Sequence, residues 1–163
     1  MTRDQLRLLD AVKTTASVAD RLRDSLRFDG AELKAAIALL PQGDAGALRE
    51  TDAFIQRYQQ LVEHMTHRLF GAIYRAEELG ERPPPLRRLL ALLEGTKALK
   101  SAETWTVYIE IRNRLVHEYP SDESELATAL TEASAAGFAI LDELEGVMDY
   151  VTRRKLLESV DAG

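Results

Sequence analysis

Residues 126–151 carry the pattern that most restricts what this chain can fold into. Leu126, Leu130, Ala133, Gly137, Ile140, Leu144, Val147 and Val151 alternate spacings of four and three. A sustained heptad seam of this kind must lie in a bundle core or at a helix-to-helix interface, because a lone helix cannot bury it. Just upstream, Asp122 followed by Glu125 forms a capping-box pattern, with Ser121 as a competing cap.

The rest of the chain reads the same way. Leu9, Val12, Ala16, Ala19, Leu22 and Leu26 predict one stripe of a first helix over about 4–27. Asp29-Gly30 breaks it, and a short helix from Ala31 ends before Pro41. Asp44 or Asp52 caps a long helix to about Leu79, with Phe54, Tyr58, Leu61, Met65, Leu69 and Ile73 inward. Gly80 and the Pro83-Pro84-Pro85 run then impose an extended connector. A helix over about 85–93 follows, and Ser101 opens the next one. No strand signal or repeat is visible. The expected fold is all-α, an antiparallel helical bundle of four to five helices in a single domain spanning 1–163.

Composition narrows the function. No window approaches the length of apolar sequence that spans a membrane, and the N-terminus lacks a signal-peptide core, so cytoplasm is the expected compartment. With no cysteine there is no thiol nucleophile and no cysteine metal site. The net charge of −6 disfavours a broad nucleic-acid surface. The excess is local, however. Residues 120–163 carry 10 acidic and 3 basic side chains, whereas residues 52–119 carry 9 and 10.

That balanced region contains the octet Arg112-Asn113-Arg114-Leu115-Val116-His117-Glu118-Tyr119, closed by Pro120. At about 100° per residue, Asn113 and His117 share a helical face with Glu110 one turn before them. Arg112 and His117 diverge by about 140°. One straight helix cannot aim both at a single phosphate-sized target, which points to a splayed helix end or a second copy of the chain. Taken alone, the octet also fits a plain helix end: Arg112 and Glu110 in solvent, Leu115 and Val116 in the core, His117 at the C-cap.

Other sites are weaker. His64 and His67 share a face and have Glu63 beside them, yet two imidazoles with no clear third ligand make a poor metal site. No metal site and no cofactor are expected. Trp105 and Tyr108, at helical spacing, read as core packing.

The octet resembles the signature of the HEPN superfamily, an Arg followed by four to six residues and a His, with Asn commonly beside the Arg. The form Arg112-Asn113-x-x-Val116-His117-x-Tyr119 is most similar to the HepT-like toxins and the related nucleotidyltransferase substrate-binding proteins. The Phe54-Ile-Gln-Arg-Tyr-Gln-Gln helix, the proline-broken connector and the Trp105-bearing helix resemble the substrate-binding branch. The resemblance covers about residues 52–150 and leaves 1–51 unaligned.

The resemblance implies a metal-independent ribonuclease that uses the RNA 2′-hydroxyl as nucleophile. His117 would act as general acid and base, Arg112 would carry the phosphorane charge, and Asn113 would orient the imidazole or bind phosphate. It also implies a homodimer with the groove at its interface. A partner nucleotidyltransferase antitoxin would AMPylate Tyr119. The competing expectation is a non-catalytic HEPN module that binds and presents something to that partner. A histidine phosphotransfer bundle is disfavoured, because His117 sits at a helix end instead of mid-helix.

Overall fold

The computed structural model describes residues 1–118 and 120–158, and every regular element among them is helical. In chain order these are α1 (Arg3–Ser25), α2 (Ala31–Leu39), α3 (Ala45–His64), α4 (Phe70–Ala76), α5 (Leu86–Gly95), α6 (Ala102–Val116) and α7 (Glu123–Arg153). A π turn, Met65–Leu69, joins α3 to α4, so the two form one interrupted rod. Among the described residues no helix is long and apolar enough to cross a membrane.

Local chemistry explains the helix boundaries. At the start of α1, Thr2 and Gln5 cap reciprocally: the Thr2 hydroxyl accepts from Gln5 N–H and the Gln5 amide oxygen accepts from Thr2 N–H. Asp44 accepts from Ala47 N–H at 2.8 Å to start α3, and Ser101 accepts from Thr104 N–H at 3.1 Å to start α6. The cap of α7 is Asp122, not Ser121, and it accepts from both Ser124 and Glu125 N–H.

The π turn follows from the sequence spacing. From Leu61 through Met65 and Leu69 to Ile73, three successive steps of four drift by about 120° on a regular α-helix. One wider turn absorbs most of that drift. All four side chains, with Phe54 and Tyr58, end in the core.

The α1 stripe differs from the expected one. The buried side chains are Leu8, Ala11, Thr15, Val18, Ala19, Leu22 and Ser25, while Ala16 is exposed. The buried line lies roughly one residue earlier than hydropathy alone suggests, because the core accepts the small hydroxylic residues Thr15 and Ser25. The seam of α7 is buried along its whole expected length. At Gly137 a Cβ would stand 3.0 Å from Leu26 Cδ1, so the missing side chain lets α1 approach.

Helix α6 is held against the α3–α4 rod by three polar or aromatic contacts along one face. Tyr58 donates its hydroxyl to Tyr108 O at 3.0 Å. Trp105 donates its indole N–H to Thr66 Oγ1, also at 3.0 Å, and packs edge-on against Phe70. Trp105 is 1% exposed, so its single donor needs the partner that the π turn supplies.

Candidate functional site

The octet occupies the last turns of α6 and the loop after it. Arg112 and Trp105, seven residues apart, lie on the same side of the helix, and both reach the α3–α4 rod. Arg112 Nη1 donates to Glu63 Oε1 at 2.7 Å. The Arg112 side chain is 17% exposed and that of Glu63 is 41% exposed. Arg112 Nε is buried with no hydrogen-bond partner among the described residues. The guanidinium is thus oriented by one charge-assisted bond and keeps an unspent donor.

His117 lies on the other side. It is the C-cap of α6, with φ −105° and ψ −26°, its N–H donating to Asn113 O at 2.8 Å. Its side chain is exposed and that of Asn113 half-buried. The helical residue before it, Val116, is only half-buried, whereas Leu115 in the same turn is packed in the core with Ile111. Tyr119 lies outside the described residues. Of the residues singled out in the sequence, Asn113 and His117 share a face, while Arg112 is turned toward α3. No side-chain hydrogen bond joins the three among the described residues.

The surroundings are mixed in charge. Beside the end of α6, a cavity of about 310 Å³ is lined by Arg114, Glu118, Pro120 and the first turns of α7, including Glu125 and Glu132. Arg114 is already tied to Glu132 at 3.0 Å. With Glu118, Glu125 and Glu132 against the one arginine, this side is net acidic.

In the sequence Glu63 stands out only as a carboxylate beside His64 and His67. Its charged partner is Arg112, 49 residues away, with Gln59 donating to the same oxygen at 3.4 Å, and no local signal in the sequence announces the ion pair. His64 has its Nδ1 buried without a partner, and burial, then nearby Arg68, lowers its pKa. His67 is exposed. Among the described residues no group of three or more His, Cys, Asp or Glu side chains is placed to hold a metal ion. No protein-family model, curated protein or solved structure matches the chain.

Proposed function

We propose that this chain is a HEPN-type toxin: a metal-independent endoribonuclease built on a helical bundle, acting in the cytoplasm as a homodimer. The observation that carries the reading is the two-sided end of α6. It offers an exposed imidazole and a neighbouring amide on one face, and on the other a guanidinium fixed in orientation by Glu63. In the proposed reaction His117 takes the proton of an RNA 2′-hydroxyl. The 2′-oxygen attacks the adjacent phosphorus, and the arginine of the second octet, brought across the two-fold axis of the dimer, offsets the charge that builds on the phosphoryl oxygens. The bond to the 5′-oxygen breaks, that oxygen takes up a proton, and a 2′,3′-cyclic phosphate remains. A nucleotidyltransferase antitoxin neutralises the toxin by transferring AMP to Tyr119.

The test is cleavage of single-stranded RNA in the presence of EDTA, with analysis of the ends. Wild type should leave 2′,3′-cyclic phosphates, and His117→Ala should abolish cleavage with the helical circular dichroism intact. A requirement for divalent metal, or equal activity of the two proteins, rejects the mechanism.

One observation favours a second reading. Glu63 already occupies Arg112, as expected if the arginine only holds α6 to α3. The chain would then be a non-catalytic HEPN module that serves the nucleotidyltransferase as a binding partner. Wild type and His117→Ala would then be equally inert toward RNA while binding the partner equally well.

A further inference from the structure

A hollow of about 180 Å³ opens between the α3–α4 rod, the proline connector and the start of α5. His67, Gly71 and Arg75 line it from the rod, and Pro83 and Pro84 line it from the connector. Its two ionisable side chains are both basic, and no carboxylate lines it among the described residues. The four larger hollows all set carboxylates beside their cations.

Arg75 is held in place without being satisfied. Its Nε donates to Glu81 O at 2.9 Å, and neither Nη1 nor Nη2 has a hydrogen-bond partner among the described residues. His67 is exposed, and its imidazole likewise makes no hydrogen bond or ion pair among them. Gly71 stands inside α4, where glycine is a poor helix former. A Cβ there would lie 3.2 Å from Pro83 Cγ and 3.6 Å from Arg75 Nη1, so the missing side chain both admits the connector and leaves the guanidinium room. Leu86, the first residue of α5, belongs to the same wall, so the positive end of that helix adjoins the hollow. The first turn of α5 carries Arg87 and no acidic residue.

We propose that this hollow is a binding site for a phosphate group. The two free Nη donors of Arg75 form the fork that phosphate oxygens match, His67 adds a donor from the facing edge, and no lining carboxylate repels the anion. Two sources carry that chemistry, the backbone of an RNA strand and a free nucleotide. Glu63, His67, Gly71 and Arg75 are spaced by fours, and the π turn keeps them in line as it does Leu61 to Ile73. That row leads over about 18 Å from the Arg112 contact to the hollow. A strand engaged at Arg112 thus meets a second phosphate hold on the same copy. Only the strand form rests on the proposed function, since the hollow uses no residue of the octet.

The experiment is an NMR titration of the full, isotope-labelled chain with inorganic phosphate, with adenosine monophosphate, and with a short 2′-O-methyl oligouridylate that lacks the nucleophilic hydroxyl. Chloride holds the ionic strength constant. Phosphate should shift the Gly71 amide and the Arg75 Nε–H saturably. His67→Ala, at an exposed position, should keep the circular dichroism and weaken phosphate binding about tenfold, the loss of one charge-assisted hydrogen bond. Arg75→Lys keeps the charge, loses the fork and should weaken binding as well. An oligouridylate that binds at least about tenfold tighter than the mononucleotide through the same resonances identifies the strand as the source, and the opposite order identifies the nucleotide. Resonances that none of the three ligands moves, or shifts that persist unchanged in both variants, overturn the site. A chain inert toward RNA in the cleavage assay but with these shifts intact keeps the site and loses the ribonuclease reading alone.

Discussion

Glu63 accepts from Arg112 across the α3–α6 contact at 2.7 Å, and the two partners are unequally buried. The arginine has five-sixths of its side chain out of water, while the glutamate has two-fifths of its own in water. Removing either partner therefore has a different cost. Glu63→Ala strands a largely buried guanidinium whose Nε is already unpaired, and should cost about 1–3 kcal/mol. Arg112→Met keeps an apolar stem in place and returns Glu63 to solvent, at a cost under about 1 kcal/mol. Urea denaturation of both variants checks the order. The reverse order would mean that the guanidinium finds water unaided.

Thr66→Val should destabilise the chain by about 1–3 kcal/mol, since it leaves the buried indole N–H of Trp105 without an acceptor. Thr66→Ser, which keeps the hydroxyl, should cost less. Trp105 is the only tryptophan, so its emission reports the change directly. Equal stability of Thr66→Val and wild type would show that the bond contributes nothing net.

Glu77 closes the far end of the molecule. Arg154 donates to both its oxygens at 2.9 and 2.8 Å, and Tyr150 donates its hydroxyl at 2.6 Å. Those bonds, Arg154 first, hold the carboxyl below its ordinary value of 4.5 despite the opposing effect of burial. The folded chain thus keeps Glu77 ionised to lower pH than the unfolded chain does. Its contribution is fully present above about pH 4.5 and disappears as pH falls through the folded-state value. Thermal melts from pH 6 downward should show a steeper loss for wild type than for Glu77→Gln. Parallel curves would remove Glu77 from the acid response.

Under the proposed function, co-expression with the cognate nucleotidyltransferase should add one or more AMP masses to the peptide containing Tyr119. Tyr119→Phe should escape the addition and keep its ribonuclease activity. An added mass that persists in Tyr119→Phe, or cleavage by fully modified protein, contradicts neutralisation at this residue.

The sequence exposed the helices and the order of their caps, because caps and seams are local. Asp44, Ser101 and Asp122 each satisfy donors within three residues, and the α7 seam needs only its own periodicity. It was less informative wherever burial depends on what a neighbour contributes. Thr15 and Ser25 are fully buried although hydropathy places Ala16 inward. The π turn was implicit in the repeated steps of four, yet a continuous α-helix is the simpler reading of the same residues. In the site, the divergence of Arg112 from His117 was legible from helical geometry alone. The partner that Arg112 meets was not, because Glu63 comes to it through tertiary packing.

Helix α6 separates two kinds of constraint by angle. The sector holding Trp105, Ile111, Arg112 and Leu115 answers to the rest of the chain, so change there is judged by folding. The sector holding Glu103, Val107, Glu110, Asn113 and His117 is free of those obligations and answers to whatever the molecule meets. The outer sector can thus change while stability stays untouched, and Leu115, packed among the inner residues, would be the last of the octet to drift.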